Sequence, residues 1–552
     1  MMISSCSSNN TNNAVQTVAD PNKMDAQLSI MMRQLIQNSK DNQGKIDDSL
    51  HLNVPQFVEQ YYIDNDYPVI WSHSEKWSTI ADSLFNYLQN AELYGLFPAD
   101  YQQKKLANFK NVLDTDSLKR MQPLLWARAE LLLTDGFFKL VHDLKYGRLQ
   151  ADSNWFKIDS SKTKTFYFQI LNTLKEKQDF NATIKSIQPK HKGYWDLLSG
   201  IKRFVDSMDR KSYTYITYPY KKSSEKDSLI FIKTFTKRLA ESKCIDAKQM
   251  PDTTSLMIGI KKYQQLKGLK QDGLISTALI NILNTSDPER FKRIAITLDR
   301  YKLMPDKMPE QYVWVNLPGY YLKVWDHDTI ALESKVICGK PSTPTPILNS
   351  VITNMVTYPT WTVPTSIIAK QYLPKLKNNP NYLSKLGLRL INGKGQTIDP
   401  GSVNWSKYNK GIPYSVMQAS GDNNALGVMK FNFDNPHAVY LHDTNQRYLF
   451  KNASRAYSHG CVRVQEWEQL ANYFARNDSL NLKPGDTLRY NADSIKNWIA
   501  AKSHKRISIK NGIPLFIAYY SCEGINGKIK FYEDIYGDDK QLRQRFFSKE
   551  SK

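Results

Sequence analysis

From residue 52 to about residue 243 the apolar positions recur at helical spacing. Ile80, Leu84 and Leu88, with Leu93, lead into the turn Tyr94-Gly95-Leu96-Phe97-Pro98. A further helical run over residues 124–140 (LLWARAELLLTDGFFKL) breaks near Tyr146-Gly147-Arg148. Residues 252–284 keep the helical period and carry Gly268 and Asp272-Gly273 as turns. At residue 311 the period changes to two. Tyr312, Trp314 and Asn316 alternate with Val313, Val315 and Leu317, and a hairpin-like repeat follows until Pro341, Pro344 and Pro346. Residues 369–417 interrupt the β pattern. It resumes in a strand over 429–433, a turn at Asp434-Asn435-Pro436 and a strand over 437–443. The latter sets Ala438, Tyr440 and His442 on one side, with Val439 and Leu441 on the other. Trp467, Leu470, Ala471 and Phe474 then fall at i, i+3, i+4 and i+7, a helix face. Lys483-Pro484-Gly485-Asp486 reads as a turn and residues 513–536 as a hairpin. Residues 1–50 are polar apart from a short amphipathic piece around Leu28 to Ile36, and read mostly as a tether. The last sixteen residues are charged and read as loose.

At 552 residues the chain is too long for one core and implies three or so domains. Its 32 Tyr, 22 Phe and 11 Trp argue against disorder over the bulk. A net charge of +22 suits an anionic partner. No zinc-finger, helix-turn-helix or RNA-binding pattern favours nucleic acid, whereas anionic cell-wall glycopolymers fit. The five cysteines, Cys6, Cys244, Cys338, Cys461 and Cys522, are widely spaced without a CxxC, so neither a zinc site nor any other metal or cofactor is expected. Cys338 and Cys522 lie in strand-like runs as small apolar residues, and a disulfide is left open. No apolar run reaches the eighteen residues that a membrane-spanning helix needs. Ile3-Ser4-Ser5-Cys6 resembles the end of a bacterial lipoprotein signal, which would anchor the chain through Cys6.

The candidate chemistry lies in residues 440–463, YLHDTNQRYLFKNASRAYSHGCVR. A free thiol is only a few per cent thiolate at neutral pH, so Cys461 needs a base, and His442 is the obvious one if the intervening segment folds back. Gly460 lets the backbone approach a reacting carbonyl, where its N–H and that of Cys461 could hold an oxyanion. The helix predicted after Cys461 would put the thiol near a helix N-terminus, which favours thiolate.

The pattern His442, fifteen residues, Ser458-His459-Gly460-Cys461-Val462-Arg463 resembles the active-site motif of the L,D-transpeptidases, whose catalytic domain is of the YkuD type. Residues 54–62, 90–101 and the helix ending at Gly147 resemble the helical scaffold of the larger, YcbB-like members. Ile260, Tyr263, Gln264, Gly268, Leu269, Asp272, Gly273 and Ile275 resemble a three-helix peptidoglycan-binding module. The expected fold is therefore multidomain: a tether (1–50), a helical scaffold (51–243), the small module (244–290), a linker (291–310), a mainly-β catalytic domain (311–490) with an inserted mixed lid (about 369–417), and a C-terminal helix and hairpin packing back on the scaffold (491–552).

The resemblance implies a two-step acyl transfer at a stem tetrapeptide of peptidoglycan. Cys461 is the nucleophile and His442 the base, with D-alanine released and a 3→3 cross-link made to an acceptor stem. It gives Gly460, His459 and Ser458 oxyanion or loop-shaping roles. Asp443, or a backbone carbonyl, orients His442, and the carbonyl is favoured because neighbouring strand residues point apart. It gives Arg463, Tyr440 and Trp361 to substrate binding. The implied setting is the periplasm or cell envelope, among other cell-wall synthesis proteins, with carbapenem-type β-lactams as covalent inhibitors. An L,D-carboxypeptidase, a wall-link hydrolase and a non-catalytic wall-binding scaffold are the alternatives.

Overall fold

The computed structural model describes residues 17–149, 160–217, 225–246, 252–267, 269, 271–482, 485, 487 and 490–547. Cys6, Gly268, Lys483, Pro484 and Asp486 lie outside the described residues, as do the last five of the tail. The chain divides into two units. The first holds residues 1–306, 522–530 and 542–552; the second holds 307–521 and 531–541.

The first unit is built on the helix Pro123–Lys145, whose side chains are buried along most of its length. An apolar helix that carries Glu130, Thr134 and Asp135 must find partners for them. The Glu130 carboxylate accepts from the Ile70 N–H (3.0 Å), the Trp71 N–H (3.0 Å) and the Ser72 hydroxyl (2.7 Å). Thr134 accepts from the Trp71 indole at 2.9 Å, and Asp135 accepts from the Val54 N–H at 2.8 Å. These three polar residues thus fix the loops on either side of the helix Pro55–Asp64. Burial pushes the Glu130 carboxyl up to about 7 against those donors.

Three expectations change in this unit. Residues 24–41 are not a tether but a helix, Met24–Asp41, that buries Met24, Leu28, Met32, Leu35 and Ile36 in the same core. Its exposed polar face had concealed the stripe beyond the short amphipathic piece. The expected linker is the helix Asp287–Lys302, which buries Phe291, Ile294, Ile296 and Leu298. The small helical module begins earlier than residue 244. The helices Glu225–Glu241, Thr253–Leu266 and Thr277–Asn284 share one core of Phe231, Phe235, Leu239, Ile260, Tyr263 and Leu283. Gln264 ties its turn by donating to Asp272 (2.8 Å) and accepting from the Gly273 N–H (2.9 Å). The strand Cys522–Ile525 packs on the helix Lys192–Ser207, where Gly524 leaves no room for a Cβ against the Asp196 backbone.

The second unit is a nine-stranded sheet with a separate inserted body. Its strands are β1 (Gln311–Asn316), β2 (Tyr321–Asp326), β3 (Thr329–Gly339), β4 (Leu348–Thr357), β5 (Met429–Phe433), β6 (Leu441–His442), β7 (Ala456–Ser458), β8 (Val462–Val464) and β9 (Lys505–Ala518). They run in the order β7-β3-β8-β6-β5-β4-β9-β1-β2, and β2 pairs again with β3, so the sheet closes on itself. Val313, Val315, Met355, Phe431, Leu441, Val462 and Leu515 fill the core. The helix Trp467–Leu480 covers it with Leu470, Ala471 and Phe474.

Two sequence readings are corrected. The stretch 513–536 is not one hairpin. Residues 505–518 form β9, between β4 and β1, which extends the sheet past residue 490; only the strands Cys522–Ile525 and Lys528–Phe531 pair as a hairpin. The strand expected over 437–443 shrinks to Leu441–His442. Ala438 takes φ 53°, and Asn435 holds the preceding loop by accepting from the N–H groups of His437 and Val439. The insertion forms a four-stranded sheet of Trp361–Thr362, Ser415–Gln418, Leu388–Ile391 and Thr397–Ile398, with its own core around Leu373, Leu376, Leu390, Trp405 and Val416.

Removing the Glu130 acceptor orphans two backbone donors in the core. Glu130→Ala should cost about 3 kcal/mol. Hydrogen exchange at the amides of residues 70–72 should accelerate well before exchange in the β1–β9 sheet does.

Candidate active site

The site is made by strand register. β6 runs parallel to β8, with Leu441 opposite Val462 and His442 opposite Arg463, and the Val462 N–H donates to the Tyr440 carbonyl at 3.1 Å. Side chains alternate between faces along a strand. Leu441 and Val462 go into the core, and His442 and Arg463 face the other way. Two residues before His442 and Arg463, Tyr440 and Cys461 fall on that same outer face. β5 adds one more side chain, because Lys430 is opposite His442 in the antiparallel β5–β6 pair. Tyr440, His442, Cys461, Arg463 and Lys430 therefore share one surface.

Contacts bind this group together. The Tyr440 and His442 rings meet edge to face at 5.6 Å. The Lys430 ammonium sits 4.0 Å from the Tyr440 ring centroid. The Tyr440 hydroxyl interacts with the Cys461 thiol, and Trp361, from the inserted body, reaches that hydroxyl. Arg463 donates to Gln446 at 3.0 Å, and its buried Nε has no hydrogen-bond partner among the described residues.

His442 is buried, and burial with the positive charges of Arg463 and Lys430 pushes it down to about 3. Backbone groups of Asp443 and Leu426 pull the other way, yet among the described residues no hydrogen bond of normal geometry reaches its Nδ1. The Asp443 side chain does not orient His442. Its carboxylate is fully buried and accepts from Arg447 (3.0 and 2.6 Å) and from the Val428 N–H (3.0 Å). Gly427, at φ 63°, makes room for it, since a Cβ there would collide with that carboxylate. Burial pushes the Cys461 thiol up, while Tyr440, Lys430 and Arg463 pull it down. Burial thus disfavours both the thiolate and the imidazolium in the resting site.

The loop before Cys461 is shaped by Ser458. This buried residue donates to the Cys461 carbonyl and accepts the Gly460 N–H at 3.2 Å. The expectation that the Gly460 N–H faces an oxyanion is therefore corrected. That donor is occupied by Ser458, whereas the Cys461 N–H has no partner among the described residues. Gly460 at φ 123° is in a conformation that a side chain disfavours. His459 is exposed and bonds Gln371 of the inserted body at 2.5 Å. The helix dipole drops out as a source of acidity. β8 separates Cys461 from the helix that starts at Trp467, beyond the first-turn reach of a dipole. Lys430, Gln371 and Arg447 were missed by the sequence reading. Lys430 alone left a trace, as the one charge in an alternating apolar strand.

Residues 310–487 match the L,D-transpeptidase catalytic domain of the YkuD family, and residues 56–200 match the scaffold domain family. Residues 310–487 are thus similar to a YkuD-type L,D-transpeptidase catalytic domain. A Haemophilus influenzae protein named as a candidate L,D-transpeptidase is 35% identical over 251 residues, which are 46% of this chain and 49% of that relative. The match therefore spans about half of the curated relative's length. The solved catalytic domain of an E. faecium L,D-transpeptidase acylated by ertapenem is 14% identical, covering 38% of this chain and 99% of that one at a TM-score of 0.17. An L,D-transpeptidase from Mycobacterium smegmatis is 12% identical over 38% of this chain and 58% of its own, with a TM-score of 0.18. The domain match does not depend on these two remote likenesses.

A base held near 3 does not titrate between pH 5 and 8. The rate of Cys461 alkylation by iodoacetamide should climb with pH through the thiol's own ionisation, with no inflection near the ordinary histidine value of about 6.5. Stopped alkylation followed by peptide mass spectrometry reads this directly.

Proposed function

We propose that the protein is a peptidoglycan L,D-transpeptidase that makes 3→3 cross-links through a thioester on Cys461. The observation that carries the reading is the placing of His442 and Cys461 on one face of the parallel β6–β8 pair, within the matched catalytic domain. Cys461 attacks the carbonyl between the third stem residue and the terminal D-alanine, and its proton passes to His442. Because burial leaves His442 a weak base, its imidazolium is a strong acid, suited to protonate the leaving amine. The C–N bond breaks, D-alanine departs and a thioester remains. The side-chain amine of a second stem then attacks, His442 takes its proton, and the thiolate leaves and is reprotonated.

The free Cys461 N–H is the main-chain donor for the tetrahedral oxyanion, and loss of such a donor costs about 10²–10³-fold in rate. The buried Nε of Arg463, unpaired among the described residues, suits a carboxylate of the substrate. Tyr440 and Trp361 line the approach to the thiol, and the inserted body serves as a lid tied to the active-site loop through Gln371 and His459. The small helical module binds peptidoglycan, and a basic chain of this kind works at the cell envelope beside other wall-synthesis proteins. No helix among the described residues is long and apolar enough to cross a membrane. Attachment through Cys6 belongs to the same proposal. Carbapenem-type β-lactams, as strained acyl donors, acylate Cys461.

The test is incubation with disaccharide-tetrapeptide and mass spectrometry of the products. Cross-linked dimer with free D-alanine is expected, and Cys461→Ala should abolish it. Trimmed tripeptide alone would instead identify a carboxypeptidase, and unchanged substrate a non-catalytic wall-binding protein.

A further inference from the structure

We propose that the Lys430 ammonium is the counter-charge of the Cys461 thiolate, holding the ionised sulfur while His442 stays free to move protons. This rests on the reading of Cys461 as the nucleophile and adds a positioning residue to it. The ordinary expectation for a cysteine–histidine pair is a thiolate balanced by an imidazolium. His442 does not fit that part, because burial and two neighbouring cations keep it neutral.

Lys430 does fit. It stands opposite His442 in the β5–β6 register, on the face that carries Cys461. Its Nζ lies 4.0 Å from the centre of the Tyr440 ring, and the hydroxyl of that same ring interacts with the thiol. A cation over an aromatic face is held in place as well as stabilised. Lys430 is half-buried, and among the described residues it pairs with no carboxylate. Burial and Arg506 disfavour its charge, while Cys461 favours it. Arg463, the other nearby cation, also acts on the sulfur, but its Nη1 is drawn toward Gln446.

The groups facing the sulfur are Tyr440 and His442 on β6, Lys430 on β5 and Arg463 on β8, with Arg506 on β9 acting on Lys430. His459 and Lys340 flank the loop, and all of these are neutral or cationic. The nearest carboxylate in sequence, Asp443, is neutralised by Arg447. Among the described residues, the anion that Lys430 can meet is therefore the thiolate, or else a bound substrate. No proton moves to or from Lys430. The thiol proton goes to His442 during attack, or to water when the free thiol is titrated at higher pH.

The experiment is the pH dependence of iodoacetamide alkylation at Cys461 in the full chain, with site occupancy read by peptide mass spectrometry. Lys430→Met should raise the midpoint by about one pH unit and slow alkylation at pH 7 about tenfold, while Lys430→Arg should keep both near the unaltered values. Lys430→Gln carries the same expectation as Lys430→Met, should the latter fail to fold. An unchanged midpoint in a folded Met or Gln variant would overturn the assignment. So would a raised KM for the tetrapeptide with an unmoved midpoint, which would make Lys430 a clamp for the substrate's carboxylate. An unreactive Cys461 in the unaltered protein would overturn the nucleophile itself, and with it this proposal.

Discussion

Everything at the active surface depends on two very short strands running parallel. β6 has two residues and β8 three, and fifteen residues separate His442 from Ser458. Parallel pairing of so few residues supplies little stability of its own. The register is instead imposed from outside. Asn435 fixes the loop entering β6, and the Asp443–Arg447 ion pair fixes its exit. Ser458 clamps the loop entering β8, and β3 and β5 flank the pair. A slip of one residue would turn Cys461 or His442 into the apolar core. The pairing of Leu441 with Val462 inside that core penalises such a slip.

The second constraint is electrostatic. The site gathers a thiol, a phenol and an imidazole with two cations and, among the described residues, no available carboxylate. Burial raises the cost of any charge there, so each ionisation must be matched by a fixed opposite charge close by. The imidazole accordingly rests neutral and becomes a strong acid when protonated. Sulfur and substrate are left as the anions for Lys430 and Arg463. The inserted body adds Trp361 above Tyr440 and ties its helix to the loop through Gln371. Access to the thiol and its polarity are thus set by the same elements.

Much of this was legible in the chain. The strand 429–433 and the helix face Leu470, Ala471 and Phe474 follow from period alone, as does the helical first half. The motif from His442 to Arg463 pointed to a thiol–imidazole pair. What stayed hidden depended on distance in the sequence. Nothing local says that Lys430 pairs with His442, that β9 enters the sheet between β4 and β1, or that Asp443 is taken up by Arg447. Alternation misled at 437–443, because Asn435 forces a loop where the side chains still read as a strand. The helix Met24–Asp41 reads as a tether because its apolar stripe is narrow, and the docking surface that receives it is built by residues about a hundred positions away.

The central claim is that register brings His442 to act on Cys461. Intact-protein mass spectrometry of a single turnover with a stem tetrapeptide measures this most directly. The account predicts an acyl adduct confined to the Cys461 peptide, forming about 10²–10⁴-fold more slowly in His442→Ala. An adduct that forms as fast without His442, or one carried by Cys338 or Cys522, would contradict it.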